Sequence, residues 1–291
     1  MIATFAIFLR EGIEAAMIVS ILVAFLKKSG RPESVRVIWA GVISALVLAV
    51  AVGALLYVSV KTYAGTRLQS MIESALYLIA IVVLTMMTMW MSKHSKDIPG
   101  ALRSAAGLAL ESKNRSRGLA LFLVAFQAIL REGLEAMVFT LAILFSSGVG
   151  AASFGAALGT LAALVLAYGI YRLGLRFNIA RAFRVLGVAL LVFAGALVVD
   201  LVEDLQSLGW VTFFAHPLWN TTTYLSEGSN LGDVAHTLLG YAARPTPLEL
   251  LAWSLYLGIT LSIFIRATRR RRPKRPSTKG LSSPEASLLR S

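Results

Sequence analysis

Seven stretches of this chain stay apolar long enough to cross a lipid bilayer as helices. A hydrocarbon core of about 30 Å requires about 20 consecutive, mostly apolar residues. The stretches run from about Ile2 to Leu26, Val37 to Val60, Met71 to Met91, Leu119 to Phe145, Ala151 to Tyr171, Val185 to Val202 and Leu248 to Ile265. Composition agrees: 57% of the 291 residues are apolar and only 15% are charged. A soluble domain carries about 25% charged residues. The sequence predicts an all-α polytopic membrane protein with seven transmembrane helices.

Lysine and arginine set the expected orientation, because they accumulate on the cytoplasmic side. Of 28 basic residues, 23 fall in alternate loops or after the last stretch, and three (Lys61, Arg67 and Arg244) fall on the other side. That bias predicts an N-terminus outside and a C-terminus in the cytoplasm. It also accounts for the net charge of +13 without a nucleic-acid partner. The first stretch is interrupted by Arg10, Glu11 and Glu14 and is read as a retained helix, not a cleaved signal. Residues 1–267 form the expected transmembrane domain. The remainder, 268–291, is a basic, Pro- and Ser-containing tail expected to be disordered and to meet anionic membrane lipid. The chain has no cysteine, which excludes disulfides and thiolate metal sites.

The two remaining basic residues are Arg10 and Arg131, and they sit in apolar stretches. Leu9-Arg10-Glu11-Gly12-Ile13-Glu14-Ala15 recurs as Leu130-Arg131-Glu132-Gly133-Leu134-Glu135-Ala136. Charges at this depth are costly and mark ion paths by default. An odd number of helices, three, separates the copies, so the second is expected to be inverted. The halves are about 1–91 and 119–203, with an outer loop at about 204–247 and the seventh helix outside the repeat. Inverted repeats with a site near the midplane are a recurring transporter design.

Residues three and four apart share a helix face. Glu11 and Glu14 can therefore point inward together, as can Glu132 and Glu135. Arg10 can reach Glu14, and Arg131 can reach Glu135. Four such carboxylates demand compensation by arginine, protons or a cation. Oxygen donors suit hard cations, so Fe³⁺, Ca²⁺, Mg²⁺, Mn²⁺ and a proton relay all fit the spacing. The plain alternative is two buried Arg–Glu pairs locking helices, but each motif has more acids than arginines. Asp200, Glu203 and Asp204 share a face near the outer end of the sixth helix, and Glu73 lies near that of the third. They are candidates for an outer vestibule, against the alternative of solvated helix ends. The methionines from Met86 to Met91 read as packing. His216 and His236 read as surface or capping residues of the outer loop.

The paired Arg-Glu-Gly-Xaa-Glu motifs resemble the iron permease family of oxidase-dependent high-affinity iron uptake. Glu73-Ser74-Ala75, Trp90-Met91, Leu205-Gln206, Gly209-Trp210, His216-Pro217-Leu218-Trp219 and Leu239-Gly240-Tyr241 extend the likeness over about Phe5 to Leu261. The segment around Glu203 and Ser207 departs from it, since bacterial members often carry His and Glu at those two positions. The resemblance implies a cell-membrane permease, not an enzyme, that imports Fe³⁺ with no permanently bound cofactor. It implies Glu11, Glu14, Glu132 and Glu135 as iron ligands, with Arg10 and Arg131 supporting. It also implies an extracytoplasmic partner that oxidises Fe²⁺ or delivers iron. The alternatives are a permease for another divalent cation or protons, and an intramembrane ferroxidase. Di-iron bundles use Glu-x-x-His, whereas each helix here offers Glu-x-x-Glu.

Overall fold

The computed structural model describes residues 1–94, 97–111, 114–147, 149–173 and 179–269. The expected disordered tail lies outside the described residues from 270 onward, as do Lys96, Lys113 and Arg176 of the basic loops. Among the described residues there are helices and no strands. They are α1 (Ile2–Lys28), α2 (Val35–Thr62), α3 (Arg67–His94), α4 (Ile98–Glu111), α5 (Asn114–Ser147), α6 (Val149–Leu173), α7 (Ile179–Ser207), α8 (Asn230–Leu239) and α9 (Pro247–Arg269).

Each of the seven expected apolar stretches falls within one long helix. Five helices, α2, α3, α6, α7 and α9, are long and apolar enough to cross a membrane. The others, α1 and α5, run for 27 and 34 residues, but the motif puts an arginine and two glutamates in the middle of each. Apolar side chains remain exposed along these helices, including Val50 at 71% and Leu251 at 65%. An apolar surface this extensive fits hydrocarbon rather than water.

The helix ends follow local chemistry. After α1 the chain turns at Gly30, whose φ of 71° suits a residue without a Cβ. Helix α8 starts at Ser229, whose Oγ accepts from the Gly232 N–H at 3.0 Å, and stops at Gly240 with φ 71°. Helix α9 starts with a capping box: Thr246 N donates to Glu249 Oε2 at 3.1 Å, and Glu249 N donates to Thr246 Oγ1 at 3.3 Å.

The closest pairings are α1 with α6, α2 with α5, and α3 with α7. Small residues permit the first two. A Cβ added at Gly12 would lie 2.6 Å from the Cβ of Ala163, and one at Gly133 would lie 2.8 Å from that of Ala49. A Cβ at Gly41 would lie 2.7 Å from the Phe122 carbonyl oxygen, and Gly155 abuts the Met1 carbonyl in the same way. Gly133 follows Gly12 by 121 positions, and Ala163 follows Ala49 by 114. Phe122 follows Met1, and Gly155 follows Gly41, by those same two offsets. Each contact is thus made twice, once between α1 and α6 and once between α5 and α2.

Two short helices were not expected from the sequence. Helix α4, between α3 and α5, packs on α1 and α5. Helix α8, in the outer loop, packs on α7 and touches α1 and α5. One apolar cluster, with Ile7, Phe139 and Phe193, lies on the α8 side of the motifs. Another, with Leu22, Leu121 and Ile129, lies on the α4 side.

Candidate metal centre

The motif sits on uninterrupted helix in both α1 and α5, which meet face to face. The glycine inside each motif brings the neighbouring helix close, and that contact excludes water around the adjacent acids. Arg10, Glu11 and Glu14 are only 2%, 4% and 3% exposed, and Glu132 is 7% exposed.

Both expected i, i+4 pairs form. Arg10 Nε donates to Glu14 Oε1 at 3.1 Å, and Arg131 Nε donates to Glu135 Oε1 at 2.9 Å. Arg10 Nη1 also lies 3.9 Å from Glu11 Oε1, an ion-pair separation too long for a hydrogen bond. The two arginines differ in setting. The Arg10 side chain is 2% exposed, while that of Arg131 is 51% exposed. The Arg131 guanidinium lies 5.2 Å from the Trp90 ring centroid, a cation–π arrangement.

Glu11, Glu132 and Glu135 each offer one carboxylate oxygen, and the three lie within 4.8 Å of one another. Glu14 is not in that set. The sequence expectation was four converging acids, and the structure brings three together. Glu14 keeps its arginine pairing, as Glu135 does, but only Glu135 also reaches the set. Both Glu11 oxygens, Glu132 Oε2 and Glu135 Oε2 are buried without a hydrogen-bond partner. Buried anionic oxygens without partners are expensive. A set from two helices, aimed at one point, is the arrangement that a hard cation relieves.

The outer acids are separately engaged. Asp200 Oδ1 lies 3.1 Å from His236 Nε2, Asp204 Oδ2 accepts from Ser74 Oγ at 3.1 Å, and Glu73 Oε1 accepts from Gln69 Nε2 at 2.7 Å. Glu203 is exposed. The Ser74–Asp204 bond joins the ends of α3 and α7 that carry Glu73, Asp200 and Glu203. His236 corrects the surface reading: it is paired to a buried acid, and its Nδ1 lies 2.8 Å from the Tyr241 carbonyl. The Asp200 pairing raises its pKa to about 9, against the opposing effect of burial. His216 remains exposed.

Sequence reasoning did not single out Trp90 as a partner of Arg131, nor Thr4 and Thr88, whose hydroxyl oxygens are buried without partners. An aromatic residue near a helix end reads as an interfacial anchor, and a lone threonine in an apolar run carries no pattern.

Comparison with known proteins gives one family. Residues 1–269 match the Iron permease FTR1 family. The chain is 33% identical over 270 residues to the ferrous iron permease EfeU of Yersinia pestis, covering 92% of this chain and 95% of the relative. It is 33% identical over 265 residues to the ferrous iron permease EfeU of Escherichia coli O157:H7, covering 91% and 95%. No solved structure matches it. The match spans the motifs, the bundle and α9, so the chain is a membrane-embedded permease and not an enzyme, and it belongs to the iron permease FTR1 family.

Proposed function

We propose that this permease imports iron across the cell membrane through a site between α1 and α5, with Glu11, Glu132 and Glu135 as the holding ligands. The observation that carries this is the convergence of their oxygens within 4.8 Å. Glu14 completes the acid count, and Arg10 and Arg131 offset part of it. Four glutamates and two arginines leave a formal charge of −2 at the site, and a bound cation removes that excess.

In this reading the seven long helices all cross the membrane, including α1 and α5. The N-terminus lies outside, and the tail 268–291 follows the permease domain 1–267 into the cytoplasm. Helices α1–α3 and α5–α7 are the two inverted halves, and α9 stands outside them. The exchanged contacts of Gly12 with Ala163 and Gly133 with Ala49 support that repeat. The basic bias of alternate loops supports the orientation. Glu73, Asp200, Glu203 and Asp204 form the outer vestibule, where their charge gathers cations at the bundle end.

The transported ion is Fe³⁺, whose hardness matches an all-carboxylate set, supplied by an extracytoplasmic partner that oxidises Fe²⁺ or delivers iron. Fe²⁺ is a second reading. It is favoured by the formal charge of −2, which a divalent ion neutralises, and by the relatives, which are named as ferrous iron permeases.

Radio-iron uptake into proteoliposomes, with Fe³⁺ and Fe²⁺ offered separately, tests both. Wild type takes up iron, and Glu11→Gln and Glu132→Gln lose at least about 100-fold in initial rate, since even residues that only support metal ligands are worth about 10–100-fold. Equal uptake by all three proteins would reduce the motifs to structural ion pairs. Wild-type movement of another cation but no iron would overturn the iron reading.

A further inference from the structure

Beside the carboxylate set lies a cavity of about 380 Å³. Glu14, Arg131 and Glu132 line its deep end, and His94 and Asp97, at the turn between α3 and α4, line the other. Ala101 and Ala105 give it a wall on α4. Neither Arg10 nor Glu11 reaches it. The cavity therefore joins the site to the end of the bundle where the basic loops cluster, and not to the α8 end.

Two motif glutamates differ in their relation to it. Glu132 belongs both to the three-oxygen set and to the cavity wall, and its Oε2 is buried without a hydrogen-bond partner. Glu14 lines the cavity without belonging to the set. It lies almost one turn beyond Glu11 on α1, on the cavity side. We propose that this cavity is the cytoplasmic release vestibule for the transported cation, and that Glu14 is the transfer ligand that takes the cation from Glu132. The proposal rests on the carboxylate-site reading above.

The chemistry of the step is ligand exchange with no change in covalent bonds. The cation leaves the Glu11–Glu132–Glu135 set through the shared Glu132. Glu14 gives up its bond from Arg10 Nε and accepts the cation. Water in the cavity then replaces the carboxylates. Arg131 aids departure: its half-exposed guanidinium, held against Trp90, repels a cation once it enters the vestibule. Trp90 in turn stacks on His94, with ring centroids 5.2 Å apart, so the wall from site to mouth is continuous.

The test separates holding from transfer. Equilibrium binding of Fe³⁺, offered as a soluble chelate, and of Fe²⁺ under anaerobic conditions, each to the full chain in detergent, is measured beside uptake of the same ion into proteoliposomes. Glu14→Gln weakens binding far less than Glu132→Gln does and still loses at least about tenfold in uptake rate, whereas Glu132→Gln loses both. Because the chain has no cysteine, single cysteines report access. Ala105→Cys reacts with a membrane-impermeant maleimide from the face carrying the C-terminus, and the adduct blocks uptake. Ala142→Cys, at a position that is fully buried toward α8, stays unreacted from both faces. Loss of binding in Glu14→Gln as deep as in Glu132→Gln would overturn the transfer role. Reaction of Ala105→Cys only from the opposite face, or not at all, would overturn the vestibule. Normal binding by Glu132→Gln would instead sink the carboxylate-site reading itself.

Discussion

Gly12 stands directly against Ala163: a single added methyl at Gly12 would meet the alanine Cβ at 2.6 Å. The contact lies inside the first motif, so the spacing of α1 from α6 also sets where Glu11 sits. Gly12→Ala is expected to cost roughly 1–3 kcal/mol by overpacking, read as a lower unfolding temperature in detergent. Ala163→Gly in the same chain restores most of it. A double variant no better than Gly12→Ala alone would show that the strain lies elsewhere.

The two motif arginines are expected to respond differently to the same change. Arg10→Met strips the partner from a buried Glu14 and leaves its charge uncompensated, at a cost of roughly 3–5 kcal/mol. Arg131→Met removes a half-exposed, screened pair and costs about 0–1 kcal/mol. Denaturant titration of both variants checks this, and equal losses would contradict the asymmetry in their burial.

His236 makes stability depend on pH. Its pKa rises to about 9 because Asp200 holds the protonated ring, while burial opposes the shift. In the unfolded chain a histidine titrates near 6.5. A raised folded value means the contribution is complete below about pH 6.5 and is lost as pH climbs through about 9. The full effect is on the order of 3 kcal/mol. Unfolding temperatures measured from pH 6 to 10 should fall for wild type and stay flatter for His236→Gln. Parallel curves would rule out the Asp200 pairing as the source.

Thr246 and Glu249 cap α9 by exchanging hydrogen bonds with each other's backbone. Thr246→Ala should cost about 1 kcal/mol, and Thr246→Ser should recover most of it. A serine variant as weak as alanine would show that the methyl group, and not the hydroxyl, carries the effect.

Much of this was legible in the sequence because membranes impose a simple code. The long helices announce themselves by length and hydropathy, and the Arg10–Glu14 and Arg131–Glu135 pairs follow from helical spacing. The capping box was legible too, as Thr246-Pro247-Leu248-Glu249, though it was not singled out. Helices α4 and α8 were missed because short amphipathic segments have no minimum length to betray them. The separation of Glu14 from the other three acids was not legible: spacing gives a shared face, but only packing between helices decides which carboxylate oxygens come together. The His236–Asp200 pair links two elements distant in sequence, and no local pattern predicts it.

The close pairing of α1 with α6 and of α2 with α5 has a mechanical consequence. Glu11 rides on one tightly packed pair, while Glu132 and Glu135 ride on the other. An ion held by all three is a bolt through two plates. At the proposed site such an ion would tie the two pairs together, so that loading would couple any movement of one pair to the other.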